Sequence, residues 1–231
     1  MIPLRDDNVA TRTPIVTRTL VGLCVLVFLW QITLGPQGGQ AAVYSLGVIP
    51  AVLLGRETLP SELALVSPPL TVVTSMFMHG GFMHLLGNML YLWIFGDNVE
   101  DSMTRPRFVV LYLLCGIAAV LAQALPDPDS TVPMIGASGA ISGVLGSYLL
   151  LFPHARVLVA IPIGIVLQTV RLPAGAVLAL WFVLQLVSNL LASGQGGVAF
   201  RAHIGGFIAG MLLIPLFKRQ DVPLRSPWGA R

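Results

Sequence analysis

Residues 135–152 read Ile-Gly-Ala-Ser-Gly-Ala-Ile-Ser-Gly-Val-Leu-Gly-Ser-Tyr-Leu-Leu-Leu-Phe, and residues 202–210 read Ala-His-Ile-Gly-Gly-Phe-Ile-Ala-Gly. Each opens an apolar stretch of near-membrane length, and each begins with a hydrogen-bonding side chain among glycines: Ser138 in the first, His203 in the second. In the first, Gly139, Gly143 and Gly146 follow i, i+4, i+7 spacing. In the second, Gly206 and Gly210 are four apart, and His203 lies three residues before Gly206 on the same face. Small-residue faces let two helix backbones approach closely. Polar groups inside a bilayer are costly and face the protein interior. Structural hydrogen bonding is one reading of either side chain alone. Together they suggest nucleophilic chemistry inside a bilayer.

Composition agrees with that setting. Of 231 residues, 55% are hydrophobic and 10% charged, with a mean hydropathy of +0.85; a soluble domain carries about 25% charged residues. The expected class is an all-α polytopic membrane protein. Six segments, near 15–34, 77–96, 107–125, 135–152, 174–192 and 202–217, match the roughly 17–25 apolar residues that a crossing helix needs. The first is too long for a signal peptide and lacks a clear cleavage site, so it reads as a retained span. The net charge of +3 is spread thinly, and no basic block is long enough for a nucleic-acid partner. Cys24 and Cys115 lie mid-run and read as small hydrophobes.

Arginine and lysine set the sidedness. One group of segments holds Arg5, Arg12 and Arg18, then Arg105 and Arg107, then Arg156 and Arg171, then Lys218, Arg219, Arg225 and Arg231. The alternating loops hold Arg56, none across 126–134, and Arg201. Both termini are therefore expected in the cytoplasm: an arm over 1–14, one membrane domain over 15–217, and a tail over 218–231. Residues 157–170 are apolar but short, with Pro162 and Gly164 inside and arginines flanking them. They are expected to form an interfacial or re-entrant segment. A seventh span there would place Ser138 and His203 on opposite sides; with six, both open helices on the non-cytoplasmic side. Residues 41–66, broken by Gly47, Pro50, Gly55 and Pro60, are expected to form short helices on the outer leaflet.

The second apolar segment carries Phe-Met-His-Leu-Leu-Gly-Asn-Met at 82–89, so His84 and Asn88 share one helix face. With Ser138 and His203, that places polar groups from separate spans at similar depth. The pattern resembles the rhomboid intramembrane serine proteases. The resemblance is carried by Gly136-Ala-Ser138-Gly139, by the His84–Asn88 pair, by Ala202-His203-x-x-Gly206-x-x-x-Gly210, and by Phe95-Gly-Asp-Asn-Val-Glu100. It covers about residues 70–217. It implies a six-helix bundle with a water-filled cavity open to the outside, no cofactor and no metal. It implies Ser138 as nucleophile and His203 as general base. His84, Asn88 and the Ser138 backbone N–H would form the oxyanion hole. Gly136, Gly139, Gly143, Gly206 and Gly210 are expected to serve close packing. The chain departs from the family at Ser142, where many members carry an aromatic residue, at Leu70-Thr71, where some carry Trp-Arg, and at Thr104, where glycine is frequent.

The chemistry also follows from the residue inventory. A serine hydroxyl needs a base. Among His79, His84, His154 and His203, His154 falls on the cytoplasmic side, His84 is paired with Asn88 for donation, and His79 reads as structural. His203 remains. No acidic residue lies between Asp129 and Asp221, so a Ser–His dyad is expected without the carboxylate of soluble triads. The absence of His-Glu-x-x-His argues against a zinc protease. Glu100 is expected to tie helix ends together. The expected substrate is a single-span membrane protein cut near the outer end of its helix, where the backbone must first unwind to expose its carbonyl. A bacterial cytoplasmic membrane is expected from the resemblance, and no pattern assigns an oligomeric state. Two alternatives are an inactive rhomboid-like protein that binds membrane clients and a small-solute channel. The first normally lacks the serine or histidine, and the second needs polar residues in both leaflets.

Overall fold

The computed structural model describes residues 1–164, 166–191 and 199–225. In chain order the elements are β1 (Ile2–Asp6), α1 (Ile15–Thr33), α2 (Gly35–Leu46), α3 (Pro50–Leu53), α4 (Pro68–Thr74) with a tight turn at Ser75–Phe77, α5 (Phe82–Asp101), α6 (Arg105–Ala124), α7 (Ser138–Leu151), β2 (Arg156–Ile163), β3 (Val166–Pro173), α8 (Ala174–Leu191) and α9 (Phe200–Phe217). The chain is mostly helical, and a helix forms within each of the six expected apolar segments. Among the described residues α1, α6, α8 and α9 are long and apolar enough to cross a membrane, and α7 is a shorter apolar helix. α5 has 20 residues and ends in the polar run Asp97-Asn-Val-Glu-Asp101. The last residue of the fifth expected span, 192, and residues 226–231 of the expected tail, with Arg231, lie outside the described residues.

α7 is the central element. Every residue from Gly139 to Tyr148 is buried. Its glycine face meets that of α9 at backbone contact distance. A methyl group added at Gly206 would strike the carbonyl oxygen of Gly139, and one at Gly210 would strike that of Gly143. One at Gly146 would strike that of Phe207. α6 closes the third side: a methyl at Gly139 would lie 2.6 Å from the Ala119 side chain. The Ser147 hydroxyl lies 2.8 Å from the Gly143 carbonyl and 3.1 Å from that of Gly210, so one proton is shared between α7 and α9. Without a hydrophobic driving force between helices in lipid, such close packing and interhelical hydrogen bonds hold a bundle together.

The end of the bundle remote from Ser138 is closed by buried carboxylates. α1 has no side-chain cap of its own, and the first N–H groups of any helix lack intrahelical acceptors. Glu100 on α5 supplies them: one oxygen accepts Val16 N–H at 3.0 Å, the other Thr17 N–H at 2.8 Å and the Thr17 hydroxyl at 2.9 Å. Asp101 accepts the Thr11 N–H and hydroxyl, both at 2.9 Å. Glu100 thus ties helix ends together, in line with the sequence expectation.

At the same end lies a three-stranded antiparallel sheet in the order β1-β2-β3. The arm over 1–14 contributes its first strand, and the segment over 157–170 is most of the hairpin that makes the other two. The run of seven apolar residues at 157–163 has no period that separates strand from buried helix. Here Val and Ile enrichment and a left-handed turn at Gly164 (φ +61°) favour the hairpin. Since 157–170 forms no helix, the seven-helix alternative drops out. The helix of the second expected span, α5, begins at Phe82 rather than near 77. The link before it is clamped to α1, because Gln31 exchanges two hydrogen bonds with the His79 backbone at 3.0 and 3.2 Å. Of the expected loop helices over 41–66, α2 and α3 form, and residues 54–67 make turns and extended chain.

Asp6 pins the sheet to the bundle. It accepts the Tyr148 hydroxyl from α7 and Asn98 Nδ2 from α5 at 3.1 Å. Burial pushes its carboxyl up to about 7, with the negative charges of Asp97 and Asp7 acting in the same direction. The folded state therefore binds this proton more tightly than the unfolded chain, and the Asp6 contribution to stability falls as pH rises from about 4 to 7. Asp6→Asn, which keeps an acceptor for both donors, is expected to remove that dependence and to be more stable than wild type at pH 8. Thermal unfolding in detergent across pH 5–8 is the check. In the same assay Gly206→Val is expected to destabilise by about 1–3 kcal/mol or more through overpacking. Gly22→Ala, with nothing within 4 Å of the added methyl, is expected to be neutral or slightly stabilising.

Candidate functional site

The site forms where α5, α7 and α9 begin. Ser138 is the first residue of α7 and has no capping side chain before it. The first-turn N–H groups of α7 are therefore free and favour negative charge nearby. The approach to α7 is shaped by Gly136, whose φ of +123° lies in the region that side chains rarely adopt. Its N–H donates to the Ser75 carbonyl at 2.9 Å. A methyl group there would lie 2.7 Å from His84 Nε2 and 3.7 Å from Asn88 Nδ2. Gly136 is thus the point at which the α7 approach touches the polar face of α5. The loop between α2 and α3 braces this approach through Val48, whose N–H and carbonyl pair with Met134 at 3.0 and 2.7 Å.

His203 lies in the first turn of α9, and its Nε2 is 2.8 Å from Ser138 Oγ. The backbone contact at Gly139–Gly206 makes that distance possible one turn away. His84 Nδ1 accepts the Gly80 N–H at 3.3 Å, which leaves Nε2 as its N–H donor. Asn88 Nδ2 is buried and has no hydrogen-bond partner among the described residues. His84 is exposed, while Ser138 and His203 are half-buried, so the site is reachable from one end of the bundle. Ser138, His203, His84 and Asn88, which the sequence singles out, are brought together. His79 lies behind them, with its Nδ1 3.2 Å from the Phe77 carbonyl and its ring edge-on to His84 at 5.2 Å. His154 lies beyond the far end of α7.

Two contacts were missing from the sequence expectation, and both come from α8. Gln185 Oε1 is 2.8 Å from His203 Nδ1. The Trp181 ring lies 6.1 Å from the His203 ring at an interplanar angle of 37°. Phe200 adds an edge-on contact at 6.5 Å. Ser142, where relatives carry an aromatic residue, donates back to the Ser138 carbonyl at 2.6 Å. The aromatic neighbours of the histidine here are therefore Trp181 and Phe200. Trp181 reads in the sequence as a packing anchor. The available signal was an amide four residues after a tryptophan, on one face of an otherwise apolar stretch.

The arrangement can activate a hydroxyl, and it directs N–H groups at the space beside it. Comparison with known proteins is consistent with this. A family model described as the Rhomboid domain matches residues 68–220. The chain is 34% identical over 153 residues to Rhomboid protein 1, mitochondrial, of Saccharomyces cerevisiae, a match covering 64% of this chain and 41% of the yeast protein. It is 34% identical over 142 residues to the rhomboid protease GluP of Bacillus subtilis, covering 60% and 24% respectively. It is 29% identical over 166 residues to presenilin-associated rhomboid-like protein A, mitochondrial, of Danio rerio, covering 69% and 41%. The matched part is thus less than half the length of each of these relatives.

His84→Ala, at an exposed position, is expected to remove the Nε2 donor while leaving the bundle folded. If that donor serves an oxyanion beside Ser138, labelling of Ser138 by a fluorophosphonate probe slows by about 10²–10³. Labelling rates of the two proteins at equal thermal stability provide the check.

Proposed function

Because the chain belongs to the rhomboid family, we propose that it is an intramembrane serine endopeptidase, with Ser138 as nucleophile and His203 as general base. The observation that carries the proposal is the 2.8 Å contact between Ser138 Oγ and His203 Nε2. Ser138 Oγ attacks the substrate carbonyl carbon as its proton passes to His203 Nε2. The negative charge on the carbonyl oxygen is met by the Ser138 backbone N–H, Asn88 Nδ2 and His84 Nε2–H. The C–N bond then breaks, and His203 gives the proton to the departing amine. Water attacks the acyl ester, again losing a proton to His203. The ester bond breaks, Ser138 recovers its proton and the new carboxyl terminus leaves.

Asn88 supports the oxyanion role best, because its buried Nδ2 has no partner among the described residues and so has donors to spare. Lysine and arginine placement favours cytoplasmic termini and a site opening on the other side. From there the enzyme reaches the outer end of a single-span protein whose backbone has left its helix. The alternative, an inactive protein that binds membrane clients, is disfavoured by the presence of both Ser138 and His203 in hydrogen-bonding contact.

Purified protein in liposomes with a model single-span substrate tests the proposal. Cleavage is expected from wild type and not from Ser138→Ala or His203→Ala, with all three folded. Asn88→Ala should lower the rate by about 10²–10³. Near-wild-type cleavage by Ser138→Ala would overturn the nucleophile assignment.

A further inference from the structure

We propose that Gln185 is the positioning residue of this site: its side-chain oxygen accepts the Nδ1–H of His203 and so holds Nε2, lone pair outward, against Ser138. The inference rests on the serine-protease reading of the site and extends it by a third member.

The geometry is a chain of hydrogen bonds, Gln185 Oε1 to His203 Nδ1 at 2.8 Å and His203 Nε2 to Ser138 Oγ at 2.8 Å. A neutral imidazole has one N–H and one acceptor nitrogen, and the partner of one decides the role of the other. An acceptor at Nδ1 makes Nε2 the base. In soluble serine hydrolases a buried carboxylate has this place. The stretch from Asp129 to Asp221 contains no other acidic residue, so none comes from α7, α8 or α9. An ionised carboxylate at membrane depth is costly. A neutral amide presents the same acceptor atom without a charge, and gives up some stabilisation of the imidazolium in exchange.

The bond is held in a built setting. Trp181 and Gln185 are one turn apart on α8 and face His203 together. Trp181 stacks on Phe207 at 5.8 Å and 27°, and Phe182 on the same ring at 4.6 Å and 25°. Phe207 is itself one turn after His203. These stacks fix α8 against α9 at the level of the histidine. The groups around His203 are Ser138 on α7, Gln185 and Trp181 on α8, Phe200 on α9 and, as the ionisable neighbour, His84 on α5. None but Gln185 makes a hydrogen bond to Nδ1 among the described residues.

The test compares wild type, Gln185→Met and Gln185→Glu in liposomes, following cleavage of a single-span substrate and fluorophosphonate labelling across pH 5–9. Methionine keeps volume and loses the acceptor. It should lower kcat at least about 10-fold, the scale on which partners that orient metal-binding histidines matter and below the loss seen for the carboxylate of a soluble triad, with KM unchanged. Glutamate keeps the acceptor and adds charge. It should restore most of the rate at neutral pH and move the acid limb of the rate profile to higher pH, because a carboxylate favours the imidazolium. Wild-type kcat in Gln185→Met, or equal loss in both variants with a raised KM, would show that the bond merely ties α8 to α9 and would overturn the inference. Should Gln185→Met fail to fold, Gln185→Glu decides alone, since its acid limb moves only if residue 185 bears on His203. A folded wild type that neither cleaves nor labels overturns the protease reading and this inference together. An active wild type matched by Gln185→Met overturns only the inference.

Discussion

The backbone contact between α7 and α9 is the constraint on which the rest depends. Gly139 and Gly143 on one helix and Gly206 and Gly210 on the other leave no room even for a methyl group. Two helices that carry larger side chains pack about 8–10 Å apart. At that separation the serine at the start of one and the histidine at the start of the other would not share a proton. The glycines thus act on the chemistry one turn away from themselves. They also explain why α7 is so completely buried: with α9 this close and α6 meeting Gly139 through Ala119, the reactive serine stands at the tip of the most enclosed helix in the bundle.

The two ends of the bundle solve the problem of buried polar groups in opposite ways. At the end bearing Glu100, Asp101 and Asp6, each carboxylate receives donors from distant parts of the chain. There the carboxylates are satisfied by donors, and their role is structural. At the Ser138 end, Asn88 Nδ2 has no partner among the described residues and the first-turn N–H groups of α7 lack a capping side chain. Unsatisfied donors are unfavourable in the resting protein. They become useful only when a negatively charged oxygen arrives, which is the behaviour expected of preorganised electrostatic stabilisation.

How much of this was legible in the sequence depends on the range of the signal. The helix positions, the glycine faces and the His84–Asn88 pair are local patterns with helical spacing, so they can be read directly. The joining of Ser138 to His203 was legible through sidedness, since charges in the loops place both at the same depth. The sheet was not legible as such. Residues 157–163 are apolar without a period, and nothing in Ile2–Asp6 announces a partner more than 150 residues away. Gln185 was missed for a related reason. An amide in an apolar helix has several possible uses, and only the packing of Trp181 and Phe182 on Phe207 selects this one. The aromatic neighbour of His203 illustrates the same limit. Ser142 signals a departure from the family pattern, but the replacement comes from another helix and from the residues beside the histidine itself.

The small sheet also has a topological consequence. A backbone hydrogen bond cannot reach across a hydrocarbon layer about 30 Å thick. The pairing of β1 with β2 therefore keeps residues 2–6 and 156–163 on one side of the bilayer. Two further bonds enlist the tail: Arg219 N–H to the Ser102 carbonyl at 2.8 Å, and Arg225 N–H to that of Leu150 at 2.7 Å. Between any two of these anchor points the number of crossings has to be even. An ancestor could have gained or lost helices between these anchors only in pairs, because a single added crossing would strand one partner of a hydrogen bond on the wrong side. The sheet is in effect a parity check on the topology of the whole chain.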